Sequence, residues 1–156
     1  MLAAGSGSQP LSGPTQGLRV THREAVLTER SLISIVDDDP SFGDSLRRLL
    51  KSLDYAVAVF TSGAQFLASA QLAATACLVA DIHMPEMTGV ELHNHLIETG
   101  HTIPTILVTA YPDDRVRRRM LNLGVECYLP KPLVEAALID CLRSAVARGE
   151  SSRAAR

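Results

Sequence analysis

Acidic residues stand at the ends of two apolar runs in this 156-residue chain. Asp37, Asp38 and Asp39 directly follow the first run, and Asp81 lies at the end of the third. Carboxylates brought close together either acquire a raised pKa or recruit a cation. An all-oxygen cluster open to water suits Mg²⁺. Because a carboxylate can also attack phosphorus and form an aspartyl phosphate, these residues indicate metal-assisted phosphoryl chemistry.

The ends of two later apolar runs supply groups that bind phosphoryl oxygens. Thr109, which ends the fourth run, offers a hydroxyl donor, and Lys131, which follows the fifth, offers an ammonium. Phosphoryl transfer requires little from a protein beyond positioning and charge neutralisation. We therefore predict that Asp81 is the nucleophile, that Asp37 and Asp38 hold the metal, and that Lys131 and Thr109 bind the phosphoryl group.

A regular alternation of strand and helix patterns explains how these residues could meet. Strands are predicted over 32–36, 55–60, 77–82, 104–109 and 125–129, and helices over 40–53, 62–70, 88–99, 113–123 and 132–147. Five such strand–helix units predict an α/β fold, with a parallel sheet covered by helices on both faces. In such a sheet ligands bind at the carboxyl ends of the strands, where all of the residues above are placed.

Two helix starts carry recognisable capping sequences. Asp39 can cap the first helix, with Pro40 at the first helical position, where no N–H is needed. Thr88 and Glu91 match a capping box, and Gly100 ends that helix.

Composition excludes several classes of protein. Hydrophobic residues make up 46% of the chain, and the net charge of −2 excludes a chain that is basic as a whole. No apolar stretch matches the core of a signal peptide or the roughly 20 residues of a membrane helix. The three cysteines lack metal-ligand spacing, so we expect reduced thiols in a cytoplasm, with Cys77 and Cys127 as small core residues.

Three regions are predicted along the chain. Residues 1–31 form a flexible extension, since the first 17 are mostly small and polar and cannot bury a core. Residues 32–148 form the ordered domain, and residues 149–156 a disordered tail.

Four segments in a fixed order resemble the receiver domain of two-component response regulators. They are IVDDD (35–39), VADIHMPEMTGVEL (79–92), ILVTA (106–110) and YLPKP (128–132). No single motif is specific, but the ordered set is, and the resemblance covers residues 31–148. It implies a doubly wound, flavodoxin-like (βα)5 fold with strand order 2-1-3-4-5.

The resemblance also implies roles for individual residues on the metal side of the site. Asp81 matches the phosphoacceptor, and Asp37 and Asp38 match the acidic pair. Of that pair, Asp38 would be the direct metal ligand. The backbone carbonyl of His83 would be a further ligand.

On the switching side, Thr109 and Lys131 match the phosphate-sensing hydroxyl and ammonium of the family. Tyr128 matches an aromatic residue that changes rotamer on activation. The resemblance also implies that the bond between Lys131 and Pro132 is cis, as it often is in this family.

The function implied is phosphorelay signalling with Mg²⁺. A sensor histidine kinase or phosphotransfer protein would donate the phosphoryl group, and the surface of the fourth helix, fifth strand and fifth helix would change its preference for protein partners, a homodimer included. No turnover of an external substrate, no direct DNA binding and no membrane contact are expected. The chain ends soon after the fifth helix, too early for an output domain of about 60 residues. It is therefore a stand-alone receiver or a piece of a longer protein.

Two alternatives remain open from the sequence. Asp37, Asp39 and Ser41 loosely imitate the nucleophile motif of haloacid-dehalogenase-like phosphatases, although a helix follows at once and Asp81 is left without a role. A pseudo-receiver, which keeps the fold as a binding module without phosphorylation, is the other alternative.

Other polar residues have weaker interpretations. His83 and Tyr111 each lie two positions after a site residue, and a bulky pair there would shield an acyl phosphate from water. His93, His95 and His101 do not have the spacing of a metal site. The arginines between 115 and 119 favour a solvated helix face over a partner contact.

Overall fold

The computed structural model describes residues 30–154, and its elements follow the predicted alternation. Its elements in chain order are β1 (Leu32–Val36), α1 (Pro40–Ser52), β2 (Ala56–Phe60), α2 (Gly63–Leu67), a 3₁₀ turn (Leu72–Ala74), β3 (Thr75–Asp81), α3 (Gly89–Glu98), β4 (Thr105–Thr109), α4 (Asp114–Asn122), β5 (Cys127–Pro130) and α5 (Glu135–Ala154). Residues 1–29 of the predicted extension lie outside the described residues.

The five strands form one parallel sheet in the order β2-β1-β3-β4-β5, which confirms the predicted fold. The register aligns the carboxyl ends of neighbouring strands. Val36 pairs with Ala80, the residue before Asp81, and Thr109 pairs with Pro130, the residue before Lys131. The residues that follow these pairs therefore share one edge of the sheet.

Apolar side chains cover both faces of the sheet. One cluster joins the sheet to α2, α3 and α4, with Phe66, Leu92 and Met120 fully buried. The other joins it to α1 and α5 through Leu50 and Leu142. All seven residues of β3 are buried, as expected for a central strand covered on both faces.

Both predicted caps are confirmed. The side chain of Asp39 accepts a hydrogen bond from Ser41 N, with Pro40 in the first turn of α1. The side chain of Thr88 accepts one from Glu91 N at the start of α3. Because Asp39 and Thr88 each stand between the carboxyl end of a strand and the next helix, these caps fix where the two helices begin.

The structure corrects the prediction that all three cysteines are thiols. Cys127 on β5 and Cys141 on α5 form a disulfide, with their Cα atoms 6.2 Å apart, within the usual range. The packing of α5 across β5 brings together two residues that are 14 positions apart in sequence. Cys77 is a buried thiol, as predicted, and burial raises its pKa.

The predicted disordered tail is also corrected, because α5 continues to Ala154. Gly149 lies against β3 so closely that a Cβ atom there would be 2.5 Å from the carbonyl oxygen of Ala76. Ser31 Oγ donates a 2.9 Å hydrogen bond to Glu150 on the same helix. The absence of a side chain at Gly149 permits this close packing of α5 on β3.

Helix α5 is 20 residues long, yet no helix within residues 30–154 has the length and apolar character needed to cross a membrane.

The packing of Gly149 predicts that its replacement by alanine destabilises the protein, although the same change usually stabilises a helix. Gly→Ala within a helix ordinarily stabilises a protein by about 0.5–1 kcal/mol. We expect Gly149→Ala to lower the free energy of unfolding by about 1–3 kcal/mol instead, because the added methyl group would overlap the backbone of β3. Urea denaturation measures the difference. Ser151→Ala, on the exposed side of the same helix, should change stability by less than about 0.5 kcal/mol. Stabilisation by Gly149→Ala would show that this part of α5 does not pack on the sheet.

Candidate functional site

Three carboxylates converge at the carboxyl edge of the sheet. Asp37, Asp38 and Asp81 each offer an oxygen, and these oxygens all lie within 4.8 Å of one another. Asp37 and Asp81 are 1% and 7% exposed, whereas Asp38 is open to solvent. Adjacent strands β1 and β3 produce this arrangement, because Asp37 and Asp81 follow the paired residues Val36 and Ala80. The structure thus brings together the three acidic residues predicted as metal ligands.

Lys131 supplies positive charge to this cluster. Its Nζ donates a 2.8 Å hydrogen bond to Asp37 Oδ2 and lies 3.6 Å from Asp81 Oδ2. The same Nζ lies 4.0 Å from the ring centroid of Phe42 on α1. The face of the Phe42 ring attracts the ammonium through a cation–π contact. No local sequence pattern predicts this contact, because it depends on the packing of α1 beside the end of β5.

Both carboxylate oxygens of Asp37 are engaged by the protein. Oδ1 accepts a 2.8 Å hydrogen bond from Asp39 N, and Oδ2 accepts the one from Lys131. Asp37 is therefore oriented by its neighbours, whereas the exposed Asp38 beside it faces water. This difference separates a positioning carboxylate from one that is accessible to an ion.

Asp81 lies in an environment that disfavours its charged form. Burial and, next, the negative charge of Asp37 raise the pKa of Asp81, while Lys131 acts in the opposite direction. The backbone N–H of His83 makes a 3.4 Å contact with Asp81 Oδ1. One ammonium thus compensates the cluster only in part, and a further cation would relieve the remaining repulsion.

Gly89 fixes the loop that follows Asp81. Its N–H donates a 3.0 Å hydrogen bond to the Ile82 carbonyl. A Cβ atom on Gly89 would lie 2.5 Å from the carbonyl oxygen of Asp81, so this close approach requires glycine. The first turn of α3 therefore holds the backbone on which Asp81 is presented.

Thr109 and the two bulky residues near it form one side of the site. Thr109 is fully buried, and its Oγ1 accepts a 3.0 Å hydrogen bond from Tyr111 N. The ring of Tyr111, 73% exposed, meets the imidazole of His83 edge to face at a centroid distance of 5.3 Å. The structure thus brings together the two residues predicted to shield an acyl phosphate.

Tyr128 does not belong to the carboxylate cluster. It is 7% exposed, and its hydroxyl accepts a 3.0 Å hydrogen bond from Asp113 N at the start of α4. The backbone links its strand to the site, because Lys131 N donates a 2.7 Å hydrogen bond to the Thr109 carbonyl. The Lys131–Pro132 peptide bond is cis, as the resemblance implied.

The geometry does not favour the phosphatase alternative. Asp39, the second acidic residue of the imitated motif, caps α1 by accepting a hydrogen bond from Ser41 N. It is exposed, and it is absent from the carboxylate cluster of Asp37, Asp38 and Asp81.

Comparison with known families agrees with this geometry. Residues 33–143 match the response regulator receiver domain family. The chain belongs to this family and carries a receiver domain of two-component signalling. Receivers in this family generally use Mg²⁺ at an acidic pocket, and they receive phosphoryl groups from histidine kinases or phosphotransfer proteins.

Curated relatives are longer than this chain. Response regulator protein TmoT of Ectopseudomonas mendocina is 32% identical over 124 residues, which cover 80% of this chain and 56% of TmoT. Transcriptional regulatory protein FixJ of Azorhizobium caulinodans is 33% identical over 116 residues, 74% of this chain and 55% of FixJ. The chain thus spans about half the length of these relatives.

Solved structures share the fold. The response regulator StyR superimposes with a TM-score of 0.76 at 34% identity, covering 82% of this chain and 65% of StyR. The FixJ-N structure gives a TM-score of 0.68 at 28% identity, covering 76% of this chain and 95% of that one.

The environment of Asp81 predicts how the free energy of unfolding of the metal-free protein depends on pH. Since the folded state raises the pKa of Asp81 above its unfolded value, the contribution of this group is fully present below the unfolded pKa and is lost as pH rises through the folded pKa. We therefore expect Asp81→Asn to raise the free energy of unfolding at pH 7 in EDTA, and to flatten this part of the pH profile. Urea titrations from pH 4 to 8 measure both effects. Asp140→Asn, on the exposed face of α5, should change neither. A destabilised Asp81→Asn protein would contradict the description of the site.

Proposed function

We propose that Asp81 is the phosphoacceptor of this receiver. The observation that carries the proposal is the convergence of three carboxylates within 4.8 Å, with the ammonium of Lys131 bound to one of them and close to another. Asp81 ends β3, between the acidic pair that follows β1 and the hydroxyl of Thr109 at the end of β4. Groups from both neighbouring strands can therefore bind a phosphoryl group or a metal ion at Asp81.

The donor set fits Mg²⁺, which prefers oxygen ligands and takes one or two protein carboxylates while keeping several waters. Asp38 and Asp81 would bind the ion directly, with the His83 backbone carbonyl as a further ligand. Asp37, whose oxygens already accept hydrogen bonds from Asp39 N and Lys131, would contribute mainly charge and orientation. When bound, the ion neutralises negative charge on the phosphoryl oxygens.

The residues of the chain perform the remaining steps. A carboxylate oxygen of Asp81 attacks the phosphorus, a new O–P bond forms, and the bond from phosphorus to the donor's leaving group breaks. The ammonium of Lys131 can donate a hydrogen bond to one phosphoryl oxygen, and the hydroxyl of Thr109 can donate to another. Because the transferring group is metaphosphate-like, positioning and charge neutralisation suffice. No turnover of an external substrate is part of this proposal.

Phosphorylation would act on the surface of α4, β5 and α5 through Thr109 and Tyr128. If the Thr109 hydroxyl turns to the phosphoryl group, it leaves the backbone of Tyr111. The Tyr128 hydroxyl accepts its hydrogen bond from Asp113 N, two residues after Tyr111. A movement of this segment would therefore also change the hydrogen bonding of Tyr128. The result is a shift in population between two conformations that differ in partner preference.

The partners follow from this surface. A sensor histidine kinase or a phosphotransfer protein supplies the phosphoryl group in the cytoplasm, and the surface of α4, β5 and α5 contacts a protein partner or a second copy of the chain. The receiver itself does not contact DNA in this proposal. TdiR of Thauera aromatica, a relative 32% identical over 117 residues, is a transcriptional regulatory protein, so the receiver would act on transcription through the partner that the surface of α4, β5 and α5 contacts.

Direct phosphorylation tests the assignment of Asp81. Incubation with acetyl phosphate and Mg²⁺ should add the mass of one phosphoryl group to the intact protein, and EDTA should prevent the addition. Asp81→Asn should abolish it, and Lys131→Met should slow it, because the ammonium that neutralises charge is removed. Size-exclusion chromatography with beryllofluoride reads out dimer formation in the same samples.

Asp140→Asn serves as the matched control and should be phosphorylated at the wild-type rate, because Asp140 is exposed on α5 away from the site. Modification of Asp81→Asn at the wild-type rate, or modification independent of a divalent ion, would refute the proposed role. An unmodified wild-type chain would support the pseudo-receiver alternative.

The pair His83 and Tyr111 predicts a long-lived phosphoprotein. Replacing both with alanine should speed the loss of phosphate from Asp81 several-fold, because their edge-to-face contact covers the approach of water. Decay of the phosphorylated species by intact mass after desalting measures the rate. His95→Ala, exposed on α3, should leave the rate unchanged. Equal decay in the double variant would remove shielding as an explanation.

A further inference from the structure

The ammonium of Lys131 has neighbours on three sides. Its Nζ donates a 2.8 Å hydrogen bond to Asp37, lies 3.6 Å from Asp81 Oδ2, and lies 4.0 Å from the centroid of the Phe42 ring. The side chain of Lys131 is 18% exposed, so most of its surface is closed to water. A lysine side chain is a flexible four-carbon stem that ends in a compact charge. The position of this charge therefore depends on the groups that surround it.

Phe42 differs from the two carboxylates in how it attracts the ammonium. The face of an aromatic ring is partly negative, but the ring carries no net charge. Phe42 therefore attracts Lys131 without adding to the negative charge around Asp81. The ring also takes up none of the strong hydrogen bonds of the ammonium, which has three N–H donors. These donors remain available to a phosphoryl oxygen that arrives at Asp81.

One short segment supplies both Asp37 and Phe42 to the ammonium. Asp37 Oδ1 accepts a 2.8 Å hydrogen bond from Asp39 N, and Asp39 caps α1 by accepting a 3.0 Å hydrogen bond from Ser41 N. Phe42 lies in the first turn of this helix. The hydrogen bonds that orient Asp37 and begin α1 therefore also fix the backbone that carries the ring. The ring and the carboxylate are held together on the side of the site where Lys131 enters.

We propose that Phe42 is a positioning residue for phosphoryl transfer to Asp81. The face of its ring keeps the ammonium of Lys131 beside the acceptor carboxylate, within reach of a phosphoryl oxygen. The transfer is the one described above, in which Asp81 forms the O–P bond and the bond from phosphorus to the donor's leaving group breaks. The inference rests on that proposed function and adds an uncharged residue to it. Phe42 acts through Lys131 alone.

Fluorination of the Phe42 ring tests this role. Replacing Phe42 with 4-fluoro-, 3,5-difluoro- and 3,4,5-trifluorophenylalanine weakens the negative charge on the ring face in steps and changes the size of the ring little. The rate of phosphorylation by acetyl phosphate with Mg²⁺, followed by intact mass, should fall in the same order. The expected loss over the series is about two- to fivefold, the range for one cation–π contact. The same replacements at Phe66, buried against the other face of the sheet, should leave the rate unchanged.

The Lys131→Met protein separates attraction of the charge from packing of the ring, because methionine is long and flexible but uncharged. In EDTA, fluorination at position 42 should lower the urea midpoint of the protein with Lys131 relative to that of Lys131→Met. The same dependence in both proteins would show that the ring acts only by packing, and would overturn the proposal.

NMR of the metal-free protein tests the contact without phosphorylation. The chain has two lysines, Lys51 and Lys131, so ¹³C-labelled lysine gives two sets of Cε–Hε signals. The signal of Lys131 should lie upfield of that of the exposed Lys51, because the Phe42 ring shields the protons next to Nζ. Phe42→Leu should remove this difference. If Phe42→Leu does not fold, the difference between the two lysines in the wild-type protein decides the point.

The outcomes distinguish this inference from the proposed function. A phosphorylated wild-type protein whose rate ignores fluorination at position 42, or lysine signals that coincide, would overturn the inference alone. A wild-type protein that is not phosphorylated would refute the proposed role of Asp81, and with it the role of Phe42 in transfer. The lysine signals would then still show whether the ring holds the ammonium.

Discussion

The bond between Lys131 and Asp37 is the interaction on which this structure depends. Strand order places β1 beside β3, so Asp37 and Asp81 meet at the carboxyl edge whether or not their charges are compensated. Like charges at such distances and with such burial are unfavourable unless a cation accompanies them. The cation comes from a residue 94 positions away, beyond the last strand. The complete sheet must therefore assemble before the charges at its edge are balanced, which couples the fold to the site.

Compensation by one lysine is incomplete, and this has a functional consequence. Three carboxylates face a single ammonium, and the pKa of Asp81 remains raised by burial and by Asp37. In the function proposed above, the remaining negative charge would attract a divalent cation, and the cation would reduce the repulsion of an anionic phosphoryl group. Asp37 is held by two hydrogen bonds, whereas Asp38 is open to water. Asp37 is thus oriented by the protein, whereas Asp38 is accessible to an ion from solvent.

Local signals predicted the elements and the convergence of the acidic residues with Lys131, and failed where tertiary packing decided. Asp39 and Thr88 are caps because the hydrogen bonds they accept come from residues two or three positions away, within reach of sequence reasoning. The pairing of Cys127 with Cys141 depends instead on how α5 crosses β5. Gly149 suggests a helix end in isolation, but its lack of a side chain allows α5 to lie on the backbone of β3. His93 had no role in the sequence analysis because an unpaired buried nitrogen is a property of the packed state alone.

The two ends of the sheet differ in how they treat buried polar groups, and they share one element. Asp81 is partly compensated by the protein, whereas Nε2 of His93 has no partner among the described residues. Glu126, whose carboxylate meets Arg148, and Tyr128, whose hydroxyl meets the start of α4, are two positions apart along the path into β5. Side chains at that spacing in an extended segment lie on the same side of it. Glu126 N donates a hydrogen bond to the Thr105 carbonyl, and Lys131 N donates one to the Thr109 carbonyl, so β4 holds this short segment at both of its ends.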